Sequence, residues 1–335
     1  MYILDTLYYI YKPIKREDLI LVSKTVSKKY RVSQIKVIID MIICSLKYGS
    51  MWTEYGDLDF YDRTADNKAS YITTFFNFKL YDAINEKEFR EVFHEKILFL
   101  EKFKNFINRA WISTDTLSDE KIKTFLRIYP NIVAKTSHGD SGKEVEVINI
   151  TPNDDLDMIL EYIKSKKFNL IEEQIFNCDE LMKLNPTSLN TLRIVTVKTG
   201  ETVNILFTGI RVGGIGSKID NISQGGRVAR INRETGVIES HFYAKSSSYS
   251  VEDINDRATA IGIQIPRWTE VIEIVKKAAL IVPQIGIVAW DVAIGAGGIE
   301  VVEGNESFGS VIMQLYYNQN EEGLKPLLLK ILEDR

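Results

Sequence analysis

The 335-residue chain has little cysteine: Cys44 and Cys178 are its only two. Two thiols make neither a disulfide framework nor a four-thiolate zinc site. The expectation is two inert small hydrophobes in a reducing, cytoplasmic setting. Long apolar runs are also lacking. The best stretch, Val37 to Ile43, is broken by Asp40 and falls short of the roughly 18 residues of a membrane span. The start, Met1-Tyr2-Ile3-Leu4-Asp5, has no basic segment and no long apolar stretch, so no signal peptide is expected. Neither sign of charge dominates: 42 Lys+Arg against 46 Asp+Glu leaves −4. That balance gives no bulk reason to expect a nucleic-acid or membrane-surface partner. There is no repeat, no low-complexity segment, and no glycine triplet that follows a strand and opens a helix in the dinucleotide-binding pattern.

Glycine is scarce in one part only. Gly49 and Gly56 are the only two in the first 110 residues, and the other 18 of 20 follow. The same first third holds 10 of 16 Tyr, 9 of 15 Phe and a net charge of +3 (18 basic, 15 acidic), which leaves −7 for the rest. One stretch is aromatic and mildly basic, the other glycine-punctuated and acidic.

Apolar spacing predicts two helices across 14–48, one across 67–80 and a long one across 86–107, where Phe89, Val92, Phe93, Ile97, Leu100, Phe103 and Phe106 recur every three or four residues. With Pro13 the only proline before Pro130, this region reads as mainly α. Beyond about residue 110 the period changes to that of strands: 131–135, 144–150, 169–175, 191–198, 202–212, 227–231, 236–238, 286–294 and 298–302. Helices are predicted over 153–165 and 268–281. Thr199-Gly200-Glu201 and Gly295-Ala296-Gly297 read as hairpin turns. Strands joined mostly by hairpins argue for an α+β fold with antiparallel sheets.

Four groups of residues could carry chemistry. Lys135 closes a strand and opens the polar loop Thr136-Ser-His138-Gly139-Asp140-Ser141-Gly142-Lys143, where glycine lets backbone amides approach phosphate and an ammonium neutralises it. A solvated polar hairpin is the plainer reading of that piece alone. Asp291 in Trp290-Asp-Val-Ala293 and Glu303 in Glu303-Gly-Asn305 can face each other on adjacent antiparallel strands, with Asn305 on the same face as Glu303. Two carboxylates and an amide oxygen suit Mg²⁺, and solvated acids are the alternative. Leu170-Ile-Glu172-Glu173-Gln174-Ile175 is an apolar strand interrupted by acids that could receive ribose hydroxyls while its backbone reads an adenine edge. An edge strand with one solvated face is the competing reading. Arg193 and Arg211 lie on strands, and arginines near a carboxylate-rich site suit a substrate carboxylate or a developing oxyanion. Surface salt bridges are the alternative there.

The order of these pieces resembles the ATP-grasp superfamily, and their wording is similar to its sugar-transfer-associated branch. The matching pieces are Lys135 with Gly139-Asp-Ser-Gly-Lys143, Asn190-Thr-Leu-Arg-Ile-Val-Thr-Val197, Asp220-Asn-Ile-Ser-Gln-Gly-Gly226, Trp290-Asp-Val-Ala293 and Glu303-Gly-Asn305, within roughly residues 90–315. The resemblance implies an ATP-grasp fold, two α+β subdomains with antiparallel sheets gripping ATP, behind a helical N-terminal region. The expected boundaries are 1–110 helical, 111–185 small or lid subdomain, and 186–335 large subdomain with the metal site.

It also implies roles. Lys96 would reach the α-phosphate, with a solvated lysine as the alternative. Lys135 would bind the α/β-phosphates under a lid of residues 138–143, and His138 could touch phosphate. Glu172, Glu173, Gln174 and Ile175 would form the adenine and ribose hinge, with Glu180 a further ribose candidate. Asp291, Glu303 and Asn305 would hold two Mg²⁺, with Mn²⁺ a second choice of ion. Asn190, Arg193, Arg211, Asn221, Ser223, Gly225 and Gly226 would line the acceptor pocket. His94 and His241 read as surface or packing residues. Two departures stand out. Many ligases of the superfamily have an arginine just before the first metal-binding acid; here Val288, Ala289 and Trp290 precede Asp291, leaving Arg193 or Arg211 to replace it. Glu144 stands where the lid's last glycine would be.

The implied activity is ATP-dependent carboxylate–amine ligation through an acyl phosphate, in surface-polysaccharide or glycan-precursor modification. Its substrates would be a small-molecule carboxylate and an amine, such as a sugar acid and an amino acid. No side-chain nucleophile is needed, in keeping with the absence of a Ser-His-Asp or Cys-His arrangement. A small-molecule or sugar kinase and a non-catalytic nucleotide-binding partner of glycan assembly are the alternatives. A homo-oligomer stays open.

Overall fold

The computed structural model describes residues 13–139, 145–214, 225–244, 260–315 and 322–333. Two antiparallel sheets dominate it. The smaller has the order β1-β4-β2-β3, with β1 Trp111–Ser113, β2 Asn131–Lys135, β3 Val145–Asn149 and β4 Leu170–Glu173. The larger has the order β7-β6-β5-β8-β9, with β5 Thr191–Thr199, β6 Thr202–Val212, β7 Arg227–Arg230, β8 Ile287–Gly295 and β9 Gly298–Asn305. With helices before, between and after the sheets, the fold is α+β, as the hairpin spacing predicts.

Alternation along each strand decides what faces what. In β2, Ile132 and Ala134 are buried in a core with the helices Asp119–Ile128 and Leu156–Ser165, so Val133 and Lys135 face the other way. The larger sheet has a core on each face. Leu192, Ile194, Ile210, Val292 and Val301 pack on the Trp268–Ala279 helix. On the opposite face Val195, Val197, Phe207, Val228 and Ala289 pack with the Lys325–Glu333 helix. That second face also carries Arg193, Arg211, Asp291, Glu303 and Asn305, which share its parity in the cross-strand register. The sheet is therefore apolar at one end of this face and charged at the other.

The N-terminal helical region exists, but its boundaries differ from the periodicity. The helices Pro13–Tyr30 and Gln34–Tyr48 agree with the reading of 14–48. The helix expected over 67–80 is two pieces, Ala65–Ala69 and Thr74–Ile84. The long helix expected over 86–107 is broken into Lys87–Phe89, Glu91–His94, Lys96–Lys102 and Lys104–Phe106. Glu95 makes the main break. Its backbone is extended and bridges to His138, and its carboxylate caps the next turn by accepting from the amides of Ile97 and Leu98. The aromatic stripe survives the breaks because Phe93, Phe99 and Phe103 pack together, with Phe93 and Phe103 edge-on to Trp290.

Candidate functional site

A cavity of about 430 Å³ lies between the two sheets. From the smaller sheet it is lined by Val133, Lys135, Glu172 and the segment from Glu173 to Asn177. From the larger it is lined by Thr191, Arg193, Arg211, Asp291, Glu303 and Asn305, and from the helical lead-in by Phe93, His94, Lys96 and Phe99.

The acidic end is built by the β8–β9 hairpin. Asp291 and Glu303 are register partners, and the ladder shifts by one residue immediately beyond them. That bulge at Val302 resets the alternation, so Glu300, Glu303 and Asn305 all lie on one face of β9. Both arginines from the interior strands converge on Asp291. Arg193 Nε lies 2.8 Å from Oδ1, and Arg211 Nη1 lies 2.9 Å from Oδ2. Asn305 donates to Glu303 Oε1 at 3.1 Å. Burial alone would raise the pKa of Glu303. The close contact with Asp291, the Asn305 amide and the fields of Arg193 and Lys135 reverse this and hold it at about 2.

Among the described residues no group of three His, Cys, Asp or Glu side chains forms a metal site. The donor set here is two carboxylates and one amide. A carboxylate kept ionised, a second acid within hydrogen-bond reach and an amide two residues along are oxygen donors of the kind a hard divalent cation takes, so the residues fit Mg²⁺.

Next to these acids lies a buried ion network. Lys135 Nζ pairs with Glu172. Arg109 Nη2 lies 2.8 Å from Glu172 Oε1, and its Nη1 lies 2.9 Å from Glu300 Oε2. The same guanidinium donates to the carbonyls of Val301 and Val302, at the bulge, at 3.1 and 2.9 Å. Burial opposes ionisation of Glu172, and the charges of Arg109 and Lys135 overcome it and lower its pKa. One arginine thus ties β4 to β9, sheet to sheet. Neither Arg109 nor Glu300 is among the residues sequence reasoning singles out. The only signal was a charged residue, Arg109, within the aromatic stretch just ahead of β1.

Placement of the remaining candidates is uneven. Lys96 opens its helix, lines the cavity and donates to the carbonyl of Gly139 at 2.8 Å, so it holds the base of the 138–143 loop. Gly139 lines the cavity with φ +150°, a backbone region that favours glycine. Asp140, Ser141, Gly142 and Lys143 lie outside the described residues, as do Asn221 and Ser223. His138 turns away from the cavity to Glu91, 3.6 Å off, and to the Ser137 hydroxyl.

In the hinge, Glu172 is occupied by cations, and Glu173 accepts from the Ala110 amide at 3.1 Å. Gln174 and Ile175 line the cavity, and the Gln174 Oε1 atom is buried with no hydrogen-bond partner. Glu180 is exposed on the short Asp179–Met182 helix, apart from the lining. Asn190 is fully buried, and its amide donates to the carbonyls of Leu181 and Asn185, each at 2.8 Å, so it fixes the loop before β5. Gly225 and Gly226 precede β7 and do not line the cavity. His241 is exposed. His94, by contrast, is in the cavity wall. Gly295, read as a plain turn, also permits contact: a Cβ there would sit 2.8 Å from the Phe176 carbonyl of the hinge.

The family model for sugar-transfer associated ATP-grasp matches residues 68–333. The chain belongs to that family. No curated protein matches it. Among solved structures, the ATP-grasp ligase PsnB complexed with minimal precursor is 14% identical, with 75% of this chain and 64% of that one covered and a TM-score of 0.44. D-alanyl-alanine synthetase A from Vibrio cholerae is 13% identical over 72% and 65%, with a TM-score of 0.40. N5-carboxyaminoimidazole synthetase from Staphylococcus aureus is 14% identical over 65% and 46%, with a TM-score of 0.40. This ATP-grasp chain spans less than two thirds of the length of each of these three structures. No helix among its described residues is long and apolar enough to cross a membrane.

Proposed function

We propose that this chain is an ATP-dependent carboxylate–amine ligase that works through an acyl phosphate. The observation that carries the reading is a single cavity. It brings two lysines, the 173–177 segment, two acids, an amide and two arginines to one space. On this reading residues 111–185 form the small subdomain and 186–335 the large one, with 1–110 as a helical lead-in.

Each group has work that its geometry suits. The hinge backbone at Gln174 and Ile175 takes the adenine edge, and the buried Gln174 Oε1 offers an acceptor beside it. Lys96 and Lys135 neutralise phosphate charge. Asp291, Glu303 and Asn305 would hold Mg²⁺, two ions on the family pattern, which when bound screens the phosphates and polarises the transferred group. Arg193 and Arg211 both reach Asp291, which supports giving them the work of the superfamily's arginine before that acid, against the charge that develops on the acyl phosphate. The protein contributes position and charge rather than a nucleophile. The carboxylate and amine are small molecules, a sugar acid and an amino acid in the glycan context that the family description suggests.

The test is a phosphate-release screen of carboxylic acids, sugar acids included, crossed with amines. ADP formation that needs both a carboxylate and an amine is expected, and Asp291→Ala with Glu303→Ala should abolish it. A phosphorylated alcohol with ADP and no free phosphate would show a kinase instead. Binding of ATP·Mg²⁺ with no turnover in any combination would favour a non-catalytic partner.

A further inference from the structure

His94 stands on the wall of the cavity at the end of a short helical turn, Glu91–His94. Its side chain is half exposed, while its partner Glu306 is almost wholly buried one residue beyond β9. His94 Nε2 lies 2.8 Å from Glu306 Oε1. Arg90 Nε lies 3.8 Å from Glu306 Oε2, an ion pair without a hydrogen bond, and the Glu306 backbone is fixed by its carbonyl, which accepts from the Asn85 amide at 3.3 Å. Neighbouring Phe93 and Phe99 pack against Gly304, between Glu303 and Asn305, so the turn carrying His94 is seated on the hairpin that carries the acids. A solvent-side imidazole does not need a buried carboxylate to orient it. An imidazole in a reaction cavity does, because the carboxylate fixes which ring nitrogen is left to exchange a proton.

We propose that His94, oriented by Glu306, is the base that deprotonates the attacking amine. This rests on the ligase reading of the same cavity. The amine arrives as an ammonium and cannot attack in that form. One proton passes from it to His94 Nδ1. The freed lone pair forms the C–N bond at the acyl-phosphate carbon, the C–O bond to phosphate breaks with its electron pair, and the second proton lost from nitrogen goes to that departing oxygen, so phosphate leaves as hydrogen phosphate. His94 then returns the proton to solvent. Charged groups on the elements packed against the ring are Glu303 and Glu306 from β9 and the residues after it, Arg90 and Glu91 at its own turn, and Lys96 on the next helix. His138 faces Glu91 across the Glu95 bridge.

The experiment compares two amines of similar size, methylamine, an ammonium at neutral pH, and hydroxylamine, which is largely neutral there. Each is supplied with ATP·Mg²⁺ and a pool of hexuronic acids and the protein amino acids, to wild type, His94→Asn and His94→Gln. Thermal unfolding and ATP binding are checked in parallel. The proposal expects His94→Asn to lower kcat with methylamine by about 10²-fold or more, the usual contribution of a general base. Hydroxamate formation should change little, imidazole should restore part of the methylamine rate, and the deficit should shrink as pH rises. Equal losses with both amines, or no loss with methylamine, would overturn the base and leave His94 a structural latch. If wild type makes no hydroxamate from any acid in the pool, the ligase reading falls, and the base with it.

Discussion

Arg109 and Glu172 form a buried ion pair between a loop and strand β4, with Nη2 2.8 Å from Oε1. Because the same guanidinium reaches Glu300 and the Val301 and Val302 carbonyls on the other sheet, it fastens the two walls of the cavity to each other. Glu172 in turn holds Lys135. The pair therefore joins the two walls of the cavity and, through Glu172, fixes the position of Lys135.

Replacing Arg109 with Met removes the cation paired with Glu300, which keeps only the backbone amides of residues 108 and 109 among its described donors, and one of the two cations on Glu172. Breaking a buried pair by deleting one side leaves uncompensated charge, at a cost of about 3–5 kcal/mol. Urea unfolding should show that loss, and Arg109→Lys should recover only part of it, because an ammonium cannot span four acceptors in a plane.

Lys135→Met should act differently. Glu172 keeps Arg109, so the unfolding midpoint should move little, while calorimetric titration should find ATP·Mg²⁺ binding weakened by about tenfold or more, ~1.4 kcal/mol. A large stability loss with unchanged nucleotide affinity would place Lys135 in the scaffold rather than at phosphate.

Gly304 separates Glu303 from Asn305, and a Cβ there would come within 2.9 Å of Phe99 and 3.0 Å of Phe93. Those rings sit in a packed aromatic cluster with Trp290, so Gly304→Ala should cost about 1–3 kcal/mol through overpacking. It should also shift the donors on either side, and a stability measurement paired with Mg²⁺-dependent ATP turnover would register both effects.

Glu54 gives a pH signature far from the site. It is fully buried and accepts from the Met51 amide, the Thr74 amide and the Thr74 hydroxyl, yet burial still raises its pKa from 4.5 to about 7. Between those values the folded chain binds the proton more tightly than the unfolded one. Its contribution to stability is therefore greatest below about pH 4.5 and falls as pH rises to about 7, by roughly 3 kcal/mol at 1.36 kcal/mol per pH unit. Glu54→Gln should flatten that slope in unfolding curves taken across the window.

The β8–β9 hairpin was legible because period-two alternation, a glycine turn and the Glu-Gly-Asn spacing all act over a few residues. Asp291 and Glu303 accordingly meet in register. The role of Glu172 was not legible, since its type suited a sugar hydroxyl equally well and Arg109 lies 63 residues away. Glu300 was missed for a geometric reason: unbroken alternation would put it on the opposite face from Glu303, and only the bulge at Val302 brings the two together. The aromatic stripe of 86–107 was real, but a helical period does not report where a carboxylate such as Glu95 caps a new turn and breaks the old one.

By itself the sequence determined what depends on neighbours along the chain. That covers the strand and hairpin order, the helical lead-in, the lysine beside its glycine loop, and the pattern that identifies the family. Only the tertiary structure decided which charges face each other. It turned both Arg193 and Arg211 onto Asp291, gave Glu172 to Arg109 and Lys135, and set His94, read as a surface or packing residue, half exposed on a cavity wall beside Glu306. The physical reason is that burying a charge is costly unless an opposite charge or a donor is brought to it, and that partner can come from any distance in the chain.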